Sequence, residues 1–227
     1  MTHPQVRADL GRAARTGEPE VVYAAGKSPA QTVEAVNALL AGGVAPVLVT
    51  RAGREHVDAL KTFHPQLDFT EDAQLVSIGA AAPVDRVDSG AVVVTAGTSD
   101  LAVAHECTGV LEALGHQPAL LADVGVAGLH RVLEVRETLE QASVVIVVAG
   151  MEAALGPVVA GLVPAPVVAV PTSVGYGAAQ GGITAMHGLL AACTPGMAVV
   201  NVDNGLGAAM FALRVLAMCG ARGARAE

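Results

Sequence analysis

Short apolar runs recur along the chain between stretches whose apolar positions return with helical spacing. Residues 46–50 (PVLVT), 91–96 (AVVVTA), 143–149 (SVVIVVA), 166–170 (PVVAV) and 197–202 (MAVVNV) are the clearest runs. Nearly continuous Val, Ile, Leu and Ala is what a strand buried on both faces of a parallel sheet requires. In the first part of the chain the pattern predicts a polar helical arm over 1–18 and strands over 20–25, 46–50 and 74–78. The intervening helices run from Pro29 to about 41, capped by Ser28 and ended by Gly42-Gly43, and from 51 to about 63. This is a small βαβαβ layer of roughly 80 residues. The stretch 80–88 (AAAPVDRVD) reads as a joint, which divides the chain into domains of 1–85 and 86–227. Beyond it the alternation restarts. Strands over 91–96, 119–123, 143–149, 166–170 and 197–202 alternate with helices over 100–114, 129–140, 152–162, 183–192 and 206–218. The larger domain is therefore expected to be a doubly wound α/β fold.

Composition narrows the picture. A chain of 227 residues has ample core for independent folding, yet hydrophobic residues make up 52% and aromatics only 2%, with no Trp. A core of Ala, Val, Leu and Gly buries little area per residue, so further burial between subunits, in an oligomer, is expected. The net charge of −8 and the absence of any Lys/Arg run argue against a nucleic-acid surface. Three cysteines look like reduced intracellular thiols, and no Cys-x-x-Cys or His-x-x-x-His pair suggests a zinc site. Residues 153–171 are uncharged for 19 positions, but Pro157, Pro164, Pro166 and Pro171 argue against one membrane-spanning helix. The mixed-charge N-terminus does not read as a signal peptide. A soluble, cytoplasmic protein without membrane or nucleic-acid partners is expected.

In a parallel sheet ligands bind beyond the carboxyl ends of the strands. The first exit of the larger domain is Gly97-Thr98-Ser99-Asp100, which either binds an anion at a helix N-terminus or simply caps the helix. The second carries Asp123, Gly125, His130 and Arg131. His130 is either a surface histidine or sits beside Arg131 over a phosphate or carboxylate. The third carries Gly150, Met151 and Glu152. Glu152 either complements a helix dipole or, if desolvated, serves as general base or acid. The fourth carries Thr172, Ser173 and a loop with Gly175, Tyr176 and Gly177, and the fifth Asp203 and Asn204. The glycine loop is a near miss of the dinucleotide fingerprint, with no acidic residue at the right distance after it. Cys107 and Cys219 read as packing residues. Cys193 precedes Pro195-Gly196 in a helix-to-strand loop, at the opposite end of its own sheet from the five exits. To be catalytic it must reach the site of a neighbouring subunit. Lys27 and Arg51, at strand exits of the small domain, either hold the far end of a ligand or are solvated surface charges.

At AGTSD (96–100), DVGVAGLHR (123–131), VVAGMEAALG (147–156), VPTSVGYGA (170–178) and VVNVDNGLGAA (199–209) the chain resembles the LarB family. These are carboxylase/hydrolases of nickel-pincer cofactor biosynthesis. RTGEPEVVYAAGKSPAQ (15–31) and VTR (49–51) match as well, so the resemblance covers nearly the whole chain. The larger domain also resembles PurE, the aminoimidazole ribonucleotide carboxylase/mutase, whose octamers build each site with a loop from the adjacent subunit. The chain departs from the LarB pattern at Ala179-Gln180 and around Cys193, where Ala192 and Thr194 stand for Ser and Ala. The resemblance implies that nicotinic acid adenine dinucleotide is carboxylated at pyridinium C5 by carbon dioxide or bicarbonate. Its phosphoanhydride is then hydrolysed to give pyridinium-3,5-biscarboxylic acid mononucleotide and AMP. For that chemistry Cys193 is the nucleophile expected to add to the ring, Glu152 the candidate base, and Asp100, His130 and Arg131 the groups expected to orient carboxylates and phosphates. Thr98 and Ser99 form the anion turn, and no organic cofactor is needed. Magnesium is expected for the anhydride cleavage, with Asp203 as a candidate ligand, and the expected assembly is a homo-octamer. The other readings are a PurE-type carboxylase or mutase, which needs no nucleophilic thiol, and a nucleotide-binding regulatory protein.

Overall fold

Ser28 sets where the first long helix begins. Its hydroxyl accepts from Gln31 N at 3.2 Å, and the Gln31 side chain accepts from Ser28 N at 2.9 Å, with Pro29 at the first helical position. In the computed structural model, which describes residues 6–79 and 87–223, the chain divides into two compact units. One is Met1–Asp85 with Ala113–Gly115; the other is Arg86–Glu112 with His116–Glu227.

The first unit runs α1 (Arg12–Thr16), β1 (Val22–Tyr23), α2 (Pro29–Ala41), β2 (Val47–Thr50), α3 (Arg54–Phe63), β3 (Asp68–Thr70) and β4 (Leu75–Ile78). Its sheet has the order β1-β2-β4-β3, with β1 parallel to β2 and β4 antiparallel to both its neighbours. The polar arm contributes only the five residues of α1 among those described. After α3 the chain makes a hairpin rather than a parallel crossover, pairing Thr70 with Leu75 across a turn in which Gln74 has φ 50°. The extra strand β3 has no apolar signature because it is an edge strand with only Phe69 partly buried. Val33, Val36, Leu39, Val57 and Leu60 from α2 and α3 pack on Val22, Val47, Val49, Val76 and Ile78 from the sheet.

The second unit runs β5 (Val87–Thr95), α4 (Leu101–Ala113), β6 (His116–Leu121), α5 (Leu129–Glu134), α6 (Arg136–Glu140) and β7 (Val144–Ala149). It continues with α7 (Leu155–Ala160), β8 (Val167–Pro171), α8 (Ile183–Leu190), β9 (Met197–Val199) and α9 (Gly205–Gly223). Of the joint expected at 80–88, residues 80–86 lie outside the described residues, and Val87 and Asp88 begin β5. All five strands are parallel, in the order β6-β5-β7-β8-β9. Every residue of β7 and β8 is buried, as the continuous apolar runs require. The helix expected over 129–140 is two helices that meet at Val135, where φ is −98° and ψ 4°. The helix expected from 152 begins at Leu155, because Met151 and Ala153 both take φ 55°, outside the helical region. No helix among the described residues is long and apolar enough to cross a membrane.

This strand order places β5, the first in sequence, between β6 and β7. The winding reverses there, so loops leave the carboxyl ends of β5 and β7 in opposite directions and open a crevice.

Candidate active site

The crevice is present as a cleft of about 350 Å³. Gly97, Ser99 and Asp100 line it from the β5 exit, Gly125 from the β6 loop, and Gly150, Met151 and Glu152 from the β7 exit. Seven of the residues singled out from sequence thus share one hollow. The remaining wall is mainly apolar, and its charged members are Asp100 and Glu152; no Lys, Arg or His lines it among the described residues.

Asp100 forms the polar floor. It closes a single 3-10 turn, Thr98–Asp100, and its side chain reaches back to accept from Gly97 N at 2.9 Å. The other carboxylate oxygen accepts from the Thr172 hydroxyl at 2.6 Å, and the Gly150 backbone donates as well. Asp100 is buried, and this burial raises its carboxyl above the ordinary aspartate value. The three hydrogen bonds pull the other way, and the nearby charge of Asp203 adds to the rise. So Asp100 is more than the helix cap of the plainer reading: it ties together three strand exits while facing the cleft.

The β7 exit needs Gly150. A Cβ there would stand 2.7 Å from Thr172 Oγ1 and closer still to Val174 O, so only glycine lets the two exits touch. Val174 O accepts from Met151 N at 2.8 Å, and the strained pair Met151 and Ala153 brackets Glu152. Glu152 therefore sits in a turn ahead of α7, with an exposed side chain at the cleft. Opening the helix, the role the sequence suggested, falls to other residues.

Asp123, at φ 57°, receives Arg131: Arg131 Nη1 lies 2.9 Å from Asp123 O and 3.0 Å from Asp123 Oδ2. Asp123 N in turn donates to Thr95 Oγ1 at 3.1 Å. The pair stands beside Gly125 at the rim rather than in the cleft, and His130 is exposed next to it. Thr98 is also exposed and outside the lining. Asp203, again with a positive φ, accepts from Ser173 N at 2.7 Å, and Asn204 Oδ1 accepts from Gly207 N at 2.8 Å in the manner of a helix cap. Both residues hold the β8 and β9 exits in place. Gly175, Tyr176 and Gly177 lie outside the cleft, with Tyr176 exposed at the start of a 3-10 stretch, Gly177–Gly182.

Cys193 is exposed in the loop between α8 and β9, at the amino ends of the strands, and is not part of its own chain's cleft. Cys107 is buried, and burial pushes its thiol well up. Among the described residues no three His, Cys, Asp or Glu gather as a metal centre, and Asp203 already accepts from a backbone amide.

In the first unit Lys27 Nζ donates to Tyr23 O at 2.7 Å and lines a separate hollow of about 300 Å³. His56 Nδ1 accepts from Gly53 N at 3.2 Å, which leaves Nε2 to donate to Lys27 O at 2.9 Å. Arg51 leaves β2 with φ 57°. The two cations thus stand at neighbouring strand exits of their own unit.

Sequence reasoning names Thr172 at the fourth exit without giving it a role, and it passes over Val174, which lines the cleft. A threonine at a strand end is ordinary by propensity, and Val174 contributes only its carbonyl, so neither carries a signal of its own.

Residues 91–224 match the AIR carboxylase family, and residues 3–80 match the LarB/PurE-like N-terminal domain. The uncharacterized protein MJ0165 of Methanocaldococcus jannaschii is 36% identical over 214 residues, which cover 92% of this chain and 82% of that protein. The N5-carboxyaminoimidazole ribonucleotide mutase of the same organism is 35% identical over 125 residues, 53% of this chain and 74% of that protein.

Proposed function

The chain belongs to the LarB family, with a LarB/PurE-like N-terminal domain ahead of an AIR carboxylase domain, and on that premise we propose a specific carboxylation for it. The substrate is nicotinic acid adenine dinucleotide, carboxylated at pyridinium C5 and then hydrolysed at its phosphoanhydride. The products are pyridinium-3,5-biscarboxylic acid mononucleotide and AMP, for nickel-pincer cofactor biosynthesis in the cytoplasm. The observation that carries this reading is the charge of the cleft. Among the described residues its ionisable lining is two carboxylates without a cation, in a mainly apolar wall, which suits a positively charged aromatic ring better than a neutral imidazole.

A pyridinium ring will not itself attack carbon dioxide. In the proposed sequence the Cys193 thiolate adds to ring C4, and the ring nitrogen accepts the displaced electron pair. The resulting dihydropyridine is an enamine at C5, which attacks the carbon of carbon dioxide and forms the new C–C bond. Glu152 removes the C5 proton, and the thiolate leaves with its bonding pair, restoring the aromatic cation. Water then cleaves the anhydride. Because Cys193 lies away from the cleft of its own chain, the thiol is supplied by a neighbouring copy in a homo-octamer. Arg131 and His130 at the rim, with Thr98 and Ser99, are assigned to the substrate's carboxylate and phosphates.

The test incubates the full chain with nicotinic acid adenine dinucleotide and ¹³C-bicarbonate, following AMP release and a mass gain of one labelled carboxylate. The wild type is expected to give both, and Cys193→Ala to lose carboxylation while still binding the dinucleotide. Full activity of Cys193→Ala, or turnover of an aminoimidazole ribonucleotide with none of the dinucleotide, would overturn the proposal in favour of a PurE-type reaction.

A further inference from the structure

Thr172 is the first residue beyond β8, fully buried in a stretch whose preceding strand positions are Val, Ala and Pro. Its backbone N–H is satisfied by Ala149 O at 3.0 Å, so the hydroxyl is not needed to complete the sheet. That hydroxyl donates to Asp100 Oδ1 at 2.6 Å, across 72 residues of sequence. It is held in place by packing, since Gly150 lies so close that a Cβ there would meet Thr172 Oγ1 at 2.7 Å.

The Asp100 carboxylate thus receives donors from three strand exits: Gly97 after β5, Gly150 after β7 and Thr172 after β8. Among the described residues no ion pair reaches it. The charged groups around it are Asp203 beyond β9, Glu152 on the β7 side of the cleft, and the Arg131–Asp123 pair, committed to each other at the rim. Two of these three surroundings are acidic, and the third is internally neutralised. Against burial, the ionised form of Asp100 is favoured by its three donors, the Thr172 hydroxyl first among them.

We infer that Thr172 is a positioning residue of this site, whose hydroxyl aims the Asp100 carboxylate at the floor of the cleft and keeps it charged there, facing the cationic ring. The inference rests on the cleft being the reacting site proposed above. It is deepened by the choice of side chain: valine has the same shape but no donor, and would leave one carboxylate oxygen facing a methyl group.

The test compares wild type with Thr172→Val, Thr172→Cys and Thr172→Ser in the full chain. The Asp100 carboxyl is titrated by ¹³C NMR, and the pH profile of kcat/KM is recorded for dinucleotide carboxylation. Loss of a hydrogen bond to a charged acceptor is expected to raise the Asp100 midpoint, and with it the acid limb of the profile, by about one to two pH units in Thr172→Val. Thr172→Cys, a weak donor of similar volume, moves it the same way by less, and Thr172→Ser restores the wild-type titration. An Asp100 titration unchanged in both Val and Cys variants would overturn the assignment. The NMR arm needs no turnover, so a shifted titration in a protein that fails to carboxylate the dinucleotide sinks the proposed reaction but leaves Thr172 as the residue that sets Asp100.

Discussion

At the scale of single residues, the site is held by contacts too close to admit any other side chain. Gly150 is the sharpest case, because the Thr172 hydroxyl and the Val174 carbonyl both occupy the space a Cβ would take. Gly150→Ala is expected to destabilise the protein by about 1–3 kcal/mol, the usual cost of overpacking, read as a lower urea midpoint at unchanged slope. Turnover should fall with it, since the adjacent Met151–Val174 hydrogen bond fixes the turn that carries Glu152. An unchanged midpoint would mean that the exits do not pack as described. Asp100 was visible in the sequence as part of a polar exit. What makes it special, burial and a hydroxyl from a strand 72 residues later, was not, because no local pattern encodes a long-range partner.

At the scale of elements, α9 begins where it does because α4 helps to cap it. The buried Glu106 of α4 accepts from Leu206 N at 3.2 Å, and Gly205 has no room for a side chain against Val103 O. Glu106→Ala is expected to cost about 1–3 kcal/mol of unfolding free energy in urea, and Glu106→Gln about 1 kcal/mol or less, because the amide keeps an acceptor but loses the charge at the helix dipole. Equal losses in the two variants would contradict a capping role. The buried strands were legible because six consecutive apolar residues such as 144–149 fit a strand buried on both faces of a parallel sheet. β3 was not, since an edge strand of Asp, Phe and Thr buries too little to show a period. The start of α7 was misplaced for a different reason: two positive φ angles around Glu152 interrupt a run that reads as helix by composition.

For the whole molecule, the buried carboxyl couples stability to pH. The folded-state value of Asp100 is raised above the unfolded value of 3.8, so the folded state binds its proton more tightly. Its contribution to stability is then fully present below pH 3.8 and is lost as pH rises through the raised value. The unfolding free energy of wild type minus that of Asp100→Asn, measured at each pH, should therefore decline across that window and level off above it. A difference that is flat or rises would contradict a raised carboxyl. Fold class and the parallel sheet follow from composition and alternation over the chain.

The most direct measurement is subunit complementation between two inactive variants, Cys193→Ala and Asp100→Asn, each with an intact copy of what the other lacks. Neither homo-oligomer should carboxylate the dinucleotide. After the two are unfolded together and refolded as mixed assemblies, activity should return, because some clefts with Asp100 then face a Cys193 from another copy. Mixed assemblies as inactive as their parents, or a fully active Cys193→Ala parent, would contradict a site completed between copies of this chain.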